Sequence, residues 1–410
     1  MMYRFTTRPL SDFVDEVPDL NDVAGDDGML FVRDGTGFAG VASVARVPLS
    51  ECAEFFVQST IDDRVDAPGS RGVAFGWYPF TGVGGEAIIP AICVGKHSSM
   101  SPWVTYVEGN ESQVAAALAP RHASVSASSN LTAAEHASFA IRPGVEIAQY
   151  LIAVAAVCDA VRNGEITKAV IARDILVESS QPIAVNALLR RLKASFGSSY
   201  RYSIDGLVGA SPELLVARQG DVVTSHPLAG TAPRTGNPTT DDQLAQQLRA
   251  SAKNQIEHRV VIDMVHDTLL PWCSYLDWQP EPDVVAVANV QHLGTLIEGR
   301  LSQPIPHVLQ LVEALSPTPA LGGFPRDAAL RLIAQHEGMQ RGRYGGAVGW
   351  CDRDGNGTWA VAIRCAELSS DRRTARLFAG GGIVTDSEPL AELAETQAKF
   401  QAMLSALVRP

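Results

Sequence analysis

RYSIDGLVGASPELLVARQGDVVTSHPLAGT, residues 201–231, is a dense run of β-branched and apolar residues broken by turn signals. Breaks at Ala210-Ser211 and Gln219-Gly220 divide it into three strands. ITKAVIARDILVES (166–179) lies before it and reads as a further strand. Alternation there puts Lys168, Val170, Ala172 and Asp174 on one face. A helix is expected over 146–162, stopped by Asn163-Gly164. A longer one is expected over 240–270, with Leu244, Leu248, Ala252, Ile256, Val260 and Met264 on one stripe. Two more strands and a helix lead to PTPALGGFP (317–325), whose prolines and glycines break regular structure. RYGGAVGW, TWAVAIRCAEL and TARLFAGGGIV then read as an antiparallel meander, and a last helix runs from about Ser387 to Leu407. Strands with long helices interspersed give an α/β or α+β fold with a large sheet system.

The chain has 410 residues, enough for a large core and for more than one conventional domain. Residues 1–118 form a strand-rich part, 119–145 a Ser/Ala-rich connector, and 146–410 the remainder. LFVRDGTGFAGVASVARV (30–47) contains a formal GxGxxG from Gly35 to Gly40. A dinucleotide fingerprint needs a helix after its glycines; VASVARV alternates like a strand, so the segment is a hairpin turning at Asp34-Gly35. The net charge of −12 argues against nucleic acid or an anionic membrane as partner. The apolar stretch 147–158 is too short to span a bilayer, and the N-terminus carries no apolar signal region. The six cysteines show no paired spacing and read as reduced thiols of a cytoplasmic protein. The histidines show no zinc-ligand spacing.

Several polar residues stand in apolar surroundings. Lys168 is either a strand-end lysine reaching solvent or a desolvated base. Glu213, in GASPELL, is either an edge residue or a buried carboxyl held protonated as a general acid. HPLAGTAPR (226–234) presents Gly230 and Thr231 as a simple turn or an anion contact. Glu257 lies one residue off a helix's apolar stripe. Glu392, Glu395 and Lys399 follow one another at i,i+3 and i,i+4 on the last helix, behind GGGIV (380–384). That helix is either a solvated face or, with Glu257, a set of oxygen ligands for a hard cation. Arg364 and Tyr344 sit inside sheet-like runs, and a buried arginine calls for a partner.

Taken in order, GASPELL, HPLAGTAPR, the Glu257-His258 pair on its helix, PTPALGGFP, AIRC (362–365) and GGGIV…SEP..E..ET..K (380–399) resemble the chorismate-utilising enzymes, most closely the isochorismate synthases. The match is dense from about 155 to 403. The resemblance implies a single large α/β domain around a two-sheet β-sandwich flanked by helices, with Mg²⁺ as cofactor and chorismate as substrate. It implies an isomerase that adds water at C2 and expels the C4 hydroxyl. Lys168 matches the base that activates water and Glu213 the acid for the leaving group, so the amine must be neutral and the carboxyl protonated together. Glu257 and Glu395, with Glu392 alongside, match the metal ligands. Gly230, Thr231, Tyr344, Arg364, Gly380, Gly382 and Lys399 match substrate contacts, and the glycines are expected to bring backbone N–H groups to a carboxylate.

Within the family, a lysine at 168 favours water over ammonia as nucleophile. Ala229 stands where aminodeoxychorismate synthases carry a nucleophilic lysine, so no glutamine amidotransferase subunit is implied. Ala320 and Ile363 resemble the isochorismate type, and salicylate synthase, which goes on to eliminate pyruvate, is the alternative. Two departures bear on catalysis: Ser316 replaces the usual histidine of LHPTP, expected near the reacting ring, and Asn254 replaces an acidic residue common one turn before Glu257. The expectation is a monomeric cytoplasmic enzyme of siderophore or menaquinone biosynthesis.

Overall fold

The strand Glu86–His97 is where the sheet divides. One of its edges pairs with Thr36–Pro48 from residue 86 to 96. The other pairs with Met100–Val107 near its end and with Val73–Tyr78 at its start. Two arms leave this fork in the computed structural model, which describes residues 3–119 and 137–409. The first arm passes from Thr36–Pro48 through Met29–Arg33, Tyr200–Ile204, Leu207–Ser211, Cys365–Leu368 and Thr374–Ile383 to Lys168–Ser179. The second passes from Val73–Tyr78 through Ala347–Asp352, Gly357–Val361, Leu214–Gln219, Val222–His226 and Ile297–Leu301 to Cys273–Trp278. Every pairing along both arms is antiparallel.

The arms face each other across a core made of strand residues. Phe31, Phe38 and Tyr202 come from the first arm, Phe75, Val348 and Trp350 from the second. Phe38 and Trp350 meet with ring centroids 4.5 Å apart. The two-layer sandwich is therefore present, but hydrogen bonding joins its twenty strands into one network folded on itself. A separate small sheet holds Leu228–Pro233, Val290–Gly294 and Asp283–Val287. Helices cover the outside. Tyr150, Val154 and Val157 of helix Ile147–Arg162 pack with Ala169 and Ile171 of the Lys168 strand. Phe400 and Met403 of helix Pro389–Val408 pack with Val177 and Leu377. These contacts bury apolar faces that the helical and strand periods place in register.

Four local expectations change. The helix expected over 240–270 is two, Pro238–Ala250 and Ala252–Leu269. Ser251 leaves the helical region (φ −74°, ψ 108°), and its side chain caps the second helix by accepting from the Asn254 N–H. Ile256 is consequently off the core and exposed. Ala210-Ser211 ends a strand, and the turn lies earlier at Asp205-Gly206, where both φ values are positive. TWAVAIRCAEL divides at Ala362–Arg364 into two strands belonging to different arms. Four strands, rather than two, separate the Ala252–Leu269 helix from helix Val308–Leu315. The hairpin at Asp34-Gly35 forms as expected. Of the connector expected over 119–145, residues 120–136 lie outside the described residues. Strands of the 1–118 part pair directly with strands 200–204 and 347–352, so its sheet is continuous with the rest.

Candidate active site

The chain crosses between the two arms at Pro212-Glu213 and again, in the opposite direction, at Ala362–Arg364. The crossings touch: the Ala210 N–H donates to the Arg364 carbonyl, and the Val361 N–H to the Glu213 carbonyl. Arg364 takes φ +52° there, a conformation a strand interior would not permit. One cavity opens at this junction. Its lining includes Lys168, Glu213, Gly230, Thr231, Glu257, Ala320, Tyr344, Ile363, Arg364, Gly380, Gly382, Glu395 and Lys399. Every candidate residue named from the sequence is among them except Glu392. Among the described residues, no helix is long and apolar enough to cross a membrane.

Glu213 is 3% exposed, and its Oε1 has no hydrogen-bond partner. Burial pushes its carboxyl up to about 8, against the smaller opposing effects of the Leu228 N–H, Lys168 and Arg364. A protonated carboxyl near neutral pH follows, which is the state a general acid needs.

Lys168 is the first residue of its strand and is 4% exposed. Its Nζ lies 2.6 Å from Glu257 Oε1. A Lys168 that acts as base must first be released from this contact. Gly382 pairs with Val170 across the neighbouring strand. A Cβ there would lie 2.5 Å from Lys168 Cε, so the bare backbone is what leaves room for the lysine tail. Gly381 does the same for Glu392, whose Oε2 would stand 2.6 Å from an added Cβ. The GGGIV segment ends a strand, as expected, and Lys399 Nζ donates to its Gly380 O at 2.7 Å.

Glu395 also ion-pairs with Lys399, at 2.6 Å. Burial would raise its pKa, but Lys399, His292 and Arg364 together bring it below the usual carboxylate value. Glu392 is buried outside the lining. Its Oε1 accepts from Ser387 Oγ and its Oε2 has no partner, and burial, opposed by Ser387 and reinforced by Glu395, raises its pKa. Glu213 Oε1 and Glu392 Oε2 are thus buried carboxyl oxygens without a donor. Among the described residues no three His, Cys, Asp or Glu side chains converge as a ready-made metal cage. Glu257 and Glu395 at the cavity suit a hard divalent cation that takes one or two protein carboxylates and completes its shell with substrate and water.

His292 was not signalled by the sequence, where histidines are testable only by metal spacing. It sits on the buried strand Val290–Gly294 and lines the cavity. Arg364 Nη2 donates to its Nε2 at 3.1 Å, which leaves Nδ1 to donate to Gly230 O at 3.0 Å. Burial, aided by Arg364, lowers its pKa to about 3, so the ring is neutral and its tautomer fixed. It links the arginine to Gly230, whose φ of +72° occurs at a bulge in its strand. The buried Nε of Arg364 has no hydrogen-bond partner. Tyr344 stacks on Phe378, with centroids 5.0 Å apart and planes 8° apart, to form a flat apolar wall.

Ser316 does not line the cavity. It is 1% exposed, and its carbonyl accepts from Arg326. Ala320, as expected, and Leu321 beside it do line the cavity. Asn254 stands beside Gly230 but its side chain is engaged with Ser251.

Residues 77–408 match the family described as "Chorismate binding enzyme". MenF of Mycobacterium tuberculosis is 46% identical over 256 residues, covering 60% of this chain and 68% of its own length. The isochorismate synthase DhbC of Bacillus subtilis is 40% identical over 281 residues, covering 66% of this chain and 70% of its own length. The structure of the menaquinone-specific isochorismate synthase MenF of Escherichia coli superimposes with a TM-score of 0.82. The two share 22% identity over 99% of this chain and 95% of that one, which bears on the fold alone.

Proposed function

This chain belongs to the chorismate-binding enzyme family, and from that premise we propose that it is a Mg²⁺-dependent isochorismate synthase, an isomerase of chorismate. The observation that carries this reading is Glu213: a buried carboxyl, protonated near neutral pH, with one oxygen unpartnered, lining the same cavity as Lys168.

In the proposed reaction Lys168, as the neutral amine, takes a proton from water as the oxygen bonds to ring C2. The double bonds shift and the C4–O bond breaks. Glu213 gives its proton to the departing hydroxyl, which leaves as water. One water enters and one leaves, so substrate and product are isomers. Bound Mg²⁺, held by Glu257 and Glu395, would supply positive charge to the substrate's ring carboxylate. Lys168 can serve as base only when Glu257 is no longer its partner, so the Lys168–Glu257 pair is the resting arrangement of the site. Arg364, oriented by His292, is suited to a substrate carboxylate. The Tyr344–Phe378 wall and Ala320, Leu321 and Ile363 are suited to the ring and exclude bulk water.

Purified protein incubated with chorismate and Mg²⁺ tests the proposal by chromatography. Isochorismate as the product supports it. Salicylate with pyruvate would make the chain a salicylate synthase, and unconsumed chorismate would refute both. The homologue names support siderophore or menaquinone biosynthesis as the setting.

A further inference from the structure

EGMQRGRYGG (337–346) follows helix Arg326–His336, with Gly338 at φ +77° turning the chain out of it. Glu337 and Arg341 form an ion pair whose side chains are 1% and 2% exposed. No atom of either lines the cavity. Arg341 Nε donates to Glu337 Oε1 at 2.7 Å and Nη2 to Oε2 at 2.5 Å. Nη1 donates to Leu321 O and Nη2 to Val170 O, each at 2.7 Å. Four of the five guanidinium hydrogens are therefore committed. Glu337 Oε2 also accepts from the Ala172 N–H at 2.8 Å. Phe80 covers the guanidinium face at 4.1 Å.

The backbone groups held in this way are not arbitrary. Val170 and Ala172 belong to the strand that Lys168 opens, and Leu321 precedes Gly322–Phe324, which pairs with that strand: the Val170 N–H donates to Gly322 O, and Gly323 and Phe324 pair with Ala169 and Lys168. Val170 and Leu321 both line the cavity. A pair needed only to close a loop would gain nothing from spending its donors on both of these neighbouring lining segments. We propose that Arg341, held by Glu337, is a positioning residue. It sets how Ala320 and Leu321, at the end of the segment paired with the Lys168 strand, sit beside that strand at the cavity, and so the placement of the substrate's ring against Lys168 Nζ. This rests on the functional reading above. A lysine keeps the charge but is a point donor without the planar fork, and cannot hold both carbonyls and the carboxylate together.

The test uses Arg341→Lys and Glu337→Gln in the full chain, with kcat and KM for chorismate measured below the onset of melting and expressed per folded molecule. Displacing a reacting group by about 1 Å costs on the order of a hundredfold in rate. Folded R341K should therefore turn over at least about tenfold slower, with KM changed by less than about threefold, and E337Q should change in the same direction. Melting temperature will fall whichever role is correct, so it decides nothing. Folded variants with kcat within about twofold of wild type would overturn the proposal, because that is what a purely structural pair predicts. If R341K does not fold, E337Q decides by the same criterion. Inactive wild type would fail the functional reading, whereas active wild type with unchanged variants fails this one.

Discussion

Glu213→Gln should cost activity and gain stability, with the gain dependent on pH. The carboxyl's pKa is raised from 4.5 to about 8 by burial. Between these values the unfolded chain releases its proton while the folded chain keeps it. Stability that Glu213 allows below pH 4.5 is thus lost as pH rises towards 8. At 1.36 kcal/mol per pKa unit, the loss between pH 5 and pH 7 is about 2.5 kcal/mol. Glutamine does not ionise and escapes it. The difference in unfolding free energy between E213Q and wild type, from urea titrations, should grow in favour of E213Q by about that amount over this range. Turnover should fall by about 10²- to 10⁴-fold through loss of the acid. In wild type, about nine-tenths of Glu213 is protonated at pH 7 and about one-tenth at pH 9, so the rate should drop about tenfold across that interval. A stability difference that is the same at pH 5 and pH 7, or an E213Q enzyme with wild-type turnover, would refute the reasoning.

Lys168→Ala should lower kcat by at least about 10²-fold while chorismate affinity, from fluorescence titration, stays within a few-fold; undiminished turnover would remove Lys168 from the base role. Gly382→Ala places a Cβ 2.5 Å from Lys168 Cε. The lysine tail can move, so the protein should fold with a near-normal melting curve, yet lose turnover by roughly ten- to a hundredfold from displacement of the amine. Unchanged turnover would show that the Lys168 position is not critical. Chelation by EDTA should stop product formation and added Mg²⁺ should restore it, while Glu395→Gln should raise the Mg²⁺ concentration needed for half-maximal rate; activity indifferent to EDTA would refute the cation's role.

The strands, the flanking helices and the charged lining residues were legible because they rest on periodicity and on short motifs. Lys168 and Glu213 stood out as charges in apolar runs, and burial makes them matter. What was hidden depends on long-range contact. Arg364 reads as a strand residue, yet it marks a crossover between arms, set by pairings to strands over a hundred residues away. The glycines of 380–382 read as the end of a strand whose backbone N–H groups meet a carboxylate. Only the pairing with 170–172, and the side chains of Lys168 and Glu392 above it, shows that they make room. His292 gave no signal because its role is a hydrogen-bonded link between Arg364 and Gly230, and neither partner is near it in sequence. The concern over Ser316 arose from a motif position whose side chain does not line the cavity.

Solvent oxygen supplies the most direct test of the central claim, that water attacks C2 while the original hydroxyl departs from C4. With chorismate turned over in H₂¹⁸O, the account predicts isochorismate carrying one ¹⁸O at its C2 hydroxyl from the first turnover. Unlabelled isochorismate, as from direct migration of the hydroxyl, would contradict it.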